Sequence, residues 1–380
     1  MKILITVGIY PPDIGGPASF VPKIANLYAD QGHKITVICL SDSLYEDQEN
    51  YKVVRILRYQ NLLIRWLKTI FLILRNGHNA NLLFVNGLPM ESYVANLFLR
   101  KKMIRKIVGD WAWERGMNKK LINESFDEFQ NKNHNLHLEI AKFSRGWTAG
   151  KAKLVITPSK HLSTIVQNWG VKEKNLKVIY NGTEIHDSYD SGIIVSKTPF
   201  TFLTVGRLAP WKNIPTIIKA LKIYKKEGMQ FKFYIVGSGP EEDNLKELVS
   251  ASGLQNEVEF TGQLIKTELV EYYKKADIYI QASSYEGLPH VILEAISHSL
   301  SIISTPIGGT NEILLDGKNG WVWNLKNNFT PEANQLFEII NRIANNPEDD
   351  NAKKNNAKNY LIQNFDEEKN FKEYLEIIKI

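Results

Sequence analysis

The fold of this chain is decided by the stretch Ser283–His298, which reads SSYEGLPHVILEAISH. The apolar run Ile278–Gln281 just before it predicts a buried strand, and the residues from Gly287 onward predict a turn that leads into a helix. Pro289 suits the first position of that helix, where a missing N–H is tolerated. Free backbone amides at such a helix start are suited to binding an anion.

Two carboxylates accompany this predicted anion site. Glu286 lies in the turn and Glu294 lies within the helix, with seven residues between them. Amides for phosphates and carboxylates for sugar hydroxyls are the groups that a nucleotide-sugar needs. The same pattern also fits a plain strand–turn–helix unit whose acids only cap and solvate the helix. The stretch by itself leaves both interpretations open.

The rest of the chain alternates strand-like runs with helical patterns, which predicts two doubly wound α/β domains. The predicted strands are 2–8, 34–40, 53–57, 82–86, 106–110, 154–157 and 176–179 in the first half, and 201–205, 231–236, 258–261, 278–281 and 301–304 in the second. Polar, irregular sequence predicts the linker. We expect a first domain at 1–187, the linker at 188–198, a second domain at 199–364 and a terminal helix at 365–380.

The composition is that of an ordinary globular chain long enough for two domains. Cys39 is the only cysteine, so a disulfide framework and a cysteine metal site are excluded. This usage fits the reducing cytoplasm, and the first residues predict a strand rather than a signal peptide. No apolar run approaches the ~20 residues of a spanning helix, so we do not expect an integral membrane protein.

Charge is unevenly distributed along the chain. Residues 1–195 include 26 basic and 17 acidic side chains, a net charge of +9, whereas the remainder has 21 and 24, a net charge of −3. A basic first half predicts an anionic partner, such as a phospholipid surface or a phosphate-bearing acceptor. Nucleic acid is not expected, because no recognised nucleic-acid-binding motif accompanies the charge.

Two aromatic segments of the first half have two interpretations each. The segment Leu62–Arg75 mixes aliphatic and basic residues with Trp66, which fits a core-facing helix or a helix that lies on anionic lipid. Trp111 and Trp113 follow Asp110 just after a predicted strand. They fit either the core or the wall of a sugar-binding site.

Three loops of the second half each follow a predicted strand, so they would open together at the carboxyl edge of one parallel sheet, where such sheets bind ligands. One loop carries Arg207 and Lys212, which are either a solvated pair or a clamp for a diphosphate leaving group. The second is Gly237–Pro240, and the third is Ser283–His298. In the first half, Gly16 and the glycine before it fit a tight turn or a close approach of amides to a phosphate.

These motifs, in this order and spacing, resemble family 4 of the retaining glycosyltransferases, which have the two-domain GT-B fold. The likeness covers almost the whole chain. It rests on Gly15-Gly16, Gly32-His33, Pro158-Ser159, Asn181-Gly182, Gly206-Arg207-Leu208 with Lys212, Gly237-Ser238-Gly239-Pro240, the pair Glu286 and Glu294, and Gly308-Gly309. The resemblance implies two Rossmann-like domains that face a central cleft, and a terminal helix that crosses back to the first domain.

The resemblance also implies how the phosphates of a donor are bound. Arg207 and Lys212 would bind the diphosphate of a nucleotide-sugar. The backbone amides of Gly16, Gly287 and Leu288 would assist them. Because these groups neutralise the leaving group, the resemblance implies no catalytic metal and no cofactor.

The remaining donor contacts follow from the same resemblance. Glu286 would hold hydroxyls of the donor sugar, and Glu294 would hold the ribose of the nucleotide. Ile265 would border the base, and Gly237 would lie beside the donor. These are expectations for positions that match the family motifs.

One position departs from the family pattern. Many relatives carry a histidine after the strand that this chain ends with Ile107 and Val108, but here Gly109 and Asp110 follow. We expect Asp110 to take part in binding the acceptor or the donor sugar. The predicted catalytic residues are therefore Glu286, Arg207, Lys212 and Asp110.

The sequence therefore predicts a retaining glycosyltransferase. We expect the donor to be a UDP-sugar first and a GDP-sugar next, and the acceptor to be a glycan or lipid-linked sugar of the cell envelope. We expect a cytoplasmic protein with a peripheral contact to an anionic membrane. The alternatives are another GT-B enzyme, such as a sugar-nucleotide epimerase or a glycosyl phosphorylase, and a non-catalytic relative that binds sugar or membrane.

Overall fold

A computed structural model describes residues 1–185, 199–315, 317–326 and 330–379. The chain divides into two compact units. The first unit comprises Met1–Ala112, His134–Tyr180 and Glu368–Ile380, and the second comprises Trp113–Asn133 and Asn181–Glu367. The predicted linker at 188–198 lies outside the described residues. Among the helices of the described ranges, none is both long and apolar enough to cross a bilayer.

The first unit is built on a sheet of seven parallel strands. The strands are β1 (Lys2–Val7), β2 (Lys34–Ser41), β3 (Lys52–Leu57), β4 (Leu82–Val85), β5 (Lys102–Lys106), β6 (Leu154–Thr157) and β7 (Leu176–Val178). Their order across the sheet is β3-β2-β1-β4-β5-β6-β7. This is a doubly wound arrangement, which is stable because helical crossovers cover both faces of a parallel sheet.

The helices of the first half alternate with these strands, as the sequence predicts. They are α1 (Gly16–Asp30), α2 (Leu62–Gly77), α3 (Pro89–Leu99), α4 (Trp111–Asn118), α5 (Phe126–Asn131), α6 (Leu136–Gly150) and α7 (Lys160–Asn168). The apolar face of α1 shows how they attach. Val21, Ile24 and Tyr28 recur at helical spacing and pack with the buried residues of β1 and β2.

One predicted strand of the first half has the wrong bounds. The sequence predicts a strand at 106–110, centred on the apolar pair Ile107 and Val108, but β5 ends at Lys106. The strand includes two buried basic side chains, Arg105 and Lys106, that the apolar pattern does not favour. Arg105 Nη1 donates to Thr148 Oγ1 at 2.6 Å, and these tertiary contacts make its burial possible.

The second unit is built on six parallel strands and a small antiparallel pair. The strands are β8 (Phe200–Val205), β9 (Phe231–Val236), β10 (Val258–Gly262), β11 (Ile278–Gln281), β12 (Ser301–Ser304), β13 (Trp321–Val322), β14 (Leu325–Lys326) and β15 (Thr330–Pro331). The helices are α8 (Ile214–Lys226), α9 (Glu242–Ala251), α10 (Lys266–Lys275), α11 (His290–Ser297), α12 (Ala333–Asn345) and α13 (Pro347–Asn364). The six-stranded sheet has the order β10-β9-β8-β11-β12-β13.

The terminal helix α14 (Glu367–Ile377) packs on the core of the first unit, as the resemblance implies. Its Tyr374 is buried, and the hydroxyl of Tyr374 accepts a hydrogen bond from Lys106 Nζ at 2.8 Å. Tyr28 donates to the Tyr374 carbonyl at 3.1 Å. Burial lowers the pKa of Lys106 well below its ordinary value, because the charged ammonium loses its hydration there.

The segment Trp113–Asn133 belongs with the second unit, although it lies within the first half of the chain. Aromatic packing explains this grouping. The Trp113 ring lies 5.3 Å from Trp211 and 4.9 Å from Tyr285, and Phe126 stacks on Tyr285 at 4.0 Å. Trp113 is fully buried, as the core interpretation of this tryptophan predicts.

Candidate active site

The strand order of the second sheet reverses between β8 and β11, which pair directly with each other. Both strands end at the same edge, and open parallel sheets bind ligands outside the carboxyl ends at such a reversal. The loop after β8 carries Arg207 and Lys212, and the loop after β11 carries Ser283 and Glu286. The structure therefore brings together two of the loops that the sequence singles out.

Lys212 and Glu286 form an ion pair across these two loops. Lys212 Nζ lies 2.5 Å from Glu286 Oε1, and the Ser283 hydroxyl donates to the same oxygen at 2.7 Å. The two charged side chains are only 18% and 14% exposed, so water screens them less than it screens a surface pair. A ligand phosphate that takes over the Lys212 ammonium would leave Glu286 able to accept hydrogen bonds from hydroxyls.

Hydrogen bonds to backbone carbonyls hold the two loops against each other. The amide of Ser284 donates to the Trp211 carbonyl at 2.8 Å, and Asn213 Nδ2 donates to the Ala282 carbonyl at 3.0 Å. Asn213 has a φ of 49°, a left-handed conformation that asparagine tolerates better than most residues. The position of Lys212 is thus set by the turn that carries it and not by its ion pair alone.

Two glycines let further loops approach this pair by backbone contact. At Gly237, a Cβ would lie 2.0 Å from the carbonyl oxygen of Gly206, and the φ of +129° also favours glycine. At Gly309, a Cβ would lie 2.1 Å from the carbonyl oxygen of Gly287. The Gly309 amide donates to the Glu286 carbonyl at 3.1 Å. The predicted contact of Gly237 with a donor stays a prediction, because packing alone accounts for the glycine.

Several hydrogen-bond donors at this edge have no acceptor in the described part of the chain. They are the Arg207 guanidinium, which is exposed, and the backbone amides of Gly287 and Leu288. The two amides lie just before α11, which starts at His290, after Pro289. Unpaired amides and the positive end of the helix dipole favour an anion at this place.

Glu294 lies on α11 and has partners from two elements. The Tyr273 hydroxyl donates to Glu294 Oε2 at 2.8 Å, and His290 Nε2 lies 3.5 Å from Glu294 Oε1. Burial, followed by the charge of Glu294, raises the pKa of Tyr273 well above its ordinary value, so this phenol stays a donor. With a quarter of its side chain exposed, Glu294 can also accept from a ligand hydroxyl.

Ile265 lies in the loop between β10 and α10, immediately before the helix begins. Its side chain is 58% exposed, and its amide donates to Glu268 Oε2 at 3.1 Å, which stabilises the first turn of α10. An exposed aliphatic side chain at the carboxyl edge of a sheet offers an apolar platform. Its predicted contact with a base stays a prediction.

Gly16 and Asp110 belong to the first unit, and their predicted roles toward donor or acceptor stay predictions. Gly16 is the first residue of α1, and a Cβ there would meet no atom within 4 Å. Asp110 is fully buried and forms an ion pair with Arg145, and its Oδ1 accepts from the Ala112 amide at 3.0 Å. Asp110 therefore has a clear structural contribution to the first unit.

The structure adds Glu114, which the sequence does not single out. This residue follows Trp113 on α4 and is half-buried, and it interacts electrostatically with Arg207, Lys212 and Glu286. Burial, with a smaller contribution from the charge of Glu286, raises the pKa of Glu114 to about 7 against the opposing charges of Arg207 and Lys212. The sequence does not predict that Glu114 lies near these residues, because nearly a hundred positions separate it from the loop after β8.

Two buried polar atoms near the ion pair also lack a partner within the described ranges. Gln281 Nε2 lies at the end of β11, and Thr310 Oγ1 follows the glycine pair that packs on Glu286. Buried polar atoms are nearly always hydrogen-bonded, so such atoms indicate a missing partner. Gln281 is the last residue of β11, and Thr310 lies in the segment that follows β12. These places at the carboxyl ends of strands are the signal by which the sequence could have identified both residues.

Two doubly wound units, each built on a parallel sheet, make up the GT-B fold. The chain matches the family model described as Glycosyltransferase Family 4 over residues 14–187. It matches the model of glycosyl transferases group 1 over residues 190–360. The chain belongs to these glycosyltransferases and is therefore a transferase enzyme, as the sequence predicts.

Named relatives agree with this assignment. An uncharacterized glycosyltransferase of Methanocaldococcus jannaschii is 28% identical over 100% of this chain and 98% of its own length. The N-acetylgalactosamine-N,N'-diacetylbacillosaminyl-diphospho-undecaprenol 4-alpha-N-acetylgalactosaminyltransferase of Campylobacter jejuni is 26% identical over 59% of this chain and 60% of its own length. The crystal structure of Anabaena HepE with UDP and glucose shares the fold, with a TM-score of 0.77, 21% identity and coverage of 100% and 99%.

Proposed function

We propose that this enzyme transfers a sugar from a nucleotide-diphosphate donor, UDP-sugar first and GDP-sugar next, with retention of anomeric configuration. The acceptor is a hydroxyl of a glycan or lipid-linked sugar in cell-envelope synthesis. HepE has been crystallised with UDP and glucose, and the Campylobacter relative is named for a diphospho-undecaprenol acceptor, which supports both choices.

The Lys212–Glu286 ion pair at the strand reversal carries this proposal. The pair lies beside the unpaired Arg207 guanidinium and the unpaired amides of Gly287 and Leu288. In the proposed complex, Arg207 and Lys212 bind the diphosphate, the amides bind its oxygens, and Glu286 accepts from hydroxyls of the sugar. Glu294 binds the ribose, Ile265 borders the base, and Gly237 lies beside the donor.

In the proposed reaction, the bond between the anomeric carbon and the diphosphate oxygen breaks while the acceptor hydroxyl attacks the same face. The acceptor proton passes to the departing phosphate, so bonds and protons balance without a side-chain base. Arg207 and Lys212 stabilise the negative charge that develops on the leaving group. Transfer therefore runs without a metal or an organic cofactor.

We also place the enzyme in the cytoplasm, in keeping with a buried free Cys39.

Binding of the donor can be tested by thermal unfolding with UDP-glucose, GDP-mannose and ADP-glucose. A ligand at a hundred times its Kd should stabilise the protein by about 2.7 kcal/mol, so a clear rise in Tm is expected with UDP-glucose. The anomeric configuration of glucose released by slow donor hydrolysis, followed by NMR, reports retention. The proposal fails if no nucleotide-sugar raises Tm, and the stereochemical part fails if the released sugar is inverted.

We also propose that the first unit binds an anionic lipid surface. Three helices carry large apolar side chains that are 39% to 74% exposed, and α3 packs against both α2 and α6. We call this set the apolar helix surface: Leu62, Leu63, Ile64, Leu67, Phe71, Leu97, Phe98, Leu136, Ile140, Phe143 and Trp147. Large apolar side chains that are exposed together in this way indicate an interaction site.

Charge favours lipid over a second copy of the chain as the partner. Helix α2 includes Arg65, Lys68 and Arg75 and no acidic residue between Leu62 and Gly77. Two copies would bring like charges together, whereas each cation near an anionic bilayer contributes about 1 kcal/mol. Helix α2 buries Ile70 and Ile73 in the unit, as the core interpretation of its sequence predicts, and its exposed face is the one that we propose for lipid.

Vesicle binding tests the lipid partner. We expect the protein to sediment with vesicles of phosphatidylcholine and phosphatidylglycerol, and weakly with phosphatidylcholine alone. Phe143→Asp and Phe71→Asp should each reduce binding several-fold, because each places a charge in the apolar helix surface. Leu44→Asp, at an exposed leucine outside the three helices, is the control. Unchanged binding of both variants, or a dimer that binds no vesicles, would contradict the proposal.

A further inference from the structure

Tyr273 of α10 lies against α11, and its ring is buried there. The ring stacks on that of His298, with 4.9 Å between the ring centroids and 19° between the ring planes. His298 is itself tied to α11, since its Nδ1 lies 2.8 Å from the carbonyl oxygen of Glu294. Packing therefore fixes the position of the Tyr273 hydroxyl.

The hydroxyl of Tyr273 anchors one side of the Glu294 carboxylate. It donates to Oε2 at 2.8 Å, whereas Oε1 has His290 Nε2 at 3.5 Å, which is longer than an ordinary hydrogen bond. Each carboxylate oxygen can accept two hydrogen bonds, so the tyrosine occupies one of about four acceptor positions. A quarter of the Glu294 side chain is exposed, and a ligand can therefore reach it. The carboxylate is held in one orientation and keeps capacity for donors from a ligand.

The chemistry of an anchored carboxylate selects the groups that it binds. A carboxylate accepts hydrogen bonds and repels anions, so it suits hydroxyls and not phosphates. Its two oxygens lie side by side and match two adjacent hydroxyls of a cis diol. Within a nucleoside diphosphate, the 2′ and 3′ hydroxyls of ribose are such a diol, and 2′-deoxyribose has only one of them.

We propose that Tyr273 is a positioning residue, which holds Glu294 so that its two oxygens accept from both ribose hydroxyls. The inference rests on the proposed function and narrows its donor class to sugars of ribonucleoside diphosphates. UDP-sugars and GDP-sugars fit this class. Sugars of thymidine diphosphate do not, because their 2′-deoxyribose would leave one oxygen of Glu294 without a donor in a partly buried place.

Calorimetric titration with UDP and 2′-deoxy-UDP measures this selectivity, or the matching guanosine pair does so if thermal unfolding selects GDP-mannose. A hydrogen bond to a charged group contributes roughly 10- to 100-fold in affinity, so wild type should bind UDP more tightly by about that factor. Tyr273→Phe keeps the buried ring but removes the hydroxyl, and the carboxylate can then turn away from the diol. The preference for UDP should fall to a few-fold, mainly through weaker binding of UDP.

Tyr272→Phe is the matched control on the same helix. The Tyr272 ring packs against Tyr234, with 5.0 Å between centroids, and this variant should keep the wild-type preference. Glu294→Ala supplies a second test, since a residue that acts through Glu294 has no further effect once the carboxylate is removed. Adding Tyr273→Phe to Glu294→Ala should therefore leave the affinity for UDP unchanged.

The results distinguish a failure of this inference from a failure of the proposed function. Equal affinity of wild type for UDP and 2′-deoxy-UDP would overturn the inference and leave the donor site in place. Equal losses for both nucleotides in Tyr273→Phe, with or without the Glu294 carboxylate, would overturn it as well, because the tyrosine would then only maintain the fold. Failure of every nucleotide-sugar to raise Tm would instead refute the proposed function.

Discussion

Arg207→Ala is expected to lower kcat/KM for sugar transfer roughly 100- to 1,000-fold while leaving Tm unchanged. The loss follows because one preorganised cation at the leaving group contributes on that scale to transition-state stabilisation. The unchanged Tm follows because the exposed guanidinium has no hydrogen bond or ion pair with any described residue. Steady-state kinetics with the donor identified by thermal unfolding, together with an unfolding scan, measure both quantities.

The control for this variant is Lys226→Ala, which removes an exposed cation at the end of α8. It should leave both activity and Tm close to wild type. A donor clamp at Arg207 would be contradicted if Arg207→Ala kept wild-type turnover. A fall in Tm of more than about 2 °C would show instead that the residue has a structural partner.

Lys212→Ala is expected to lose transfer as well, and in addition to destabilise the second unit. Its removal leaves the Ser283 hydroxyl as the remaining hydrogen-bond donor to the Glu286 carboxylate among the described residues, in a site where both charged side chains are more than four-fifths buried. Leaving one charge of a buried pair without its partner costs 3–5 kcal/mol, and partial exposure here reduces the expected cost to about 2 kcal/mol. The corresponding fall in Tm is about 4–8 °C.

The matched control is Lys246→Ala, which breaks an exposed pair with Glu242 in the same unit. An exposed ion pair contributes little to stability because water screens it, so this variant should unfold close to the wild-type temperature. Comparison of the two lysines thus separates the ion pair at the strand reversal from ion pairs in general. Equal and small effects of both variants on Tm and turnover would refute a donor clamp at Lys212.

Much of the fold can be predicted from the sequence because its strands are buried on both faces. The predicted strands at 231–236, 278–281 and 301–304 coincide with β9, β11 and β12. The terminal helix was also predictable, since Phe371, Tyr374, Leu375 and Ile378 recur at helical spacing, and such an apolar stripe must be covered by other apolar groups. The strand at β5 was not, because buried Arg105 and Lys106 depend on partners that a local pattern does not contain.

The candidate site divides in the same way. The loop residues Arg207, Lys212 and Glu286 could be identified because each follows a strand and resembles a family motif. Glu114 could not, because its significance depends on the packing of Trp113 against Trp211 and Tyr285. Asp110 is the opposite case, because the sequence suggests a ligand contact for it. The structure gives it an ion pair with Arg145, a structural role that the sequence does not reveal.

The sequence by itself determined the two-domain α/β architecture and the loops that hold the chemistry, because periodicity, turn residues and strand ends are local properties. Only the tertiary structure decided which charges meet. Parallel strands β8 and β11 become neighbours through a crossover of the chain, and that pairing places Lys212 against Glu286. Whether an acid is ionised depends in turn on burial and on nearby charge, and both are created when distant segments pack together.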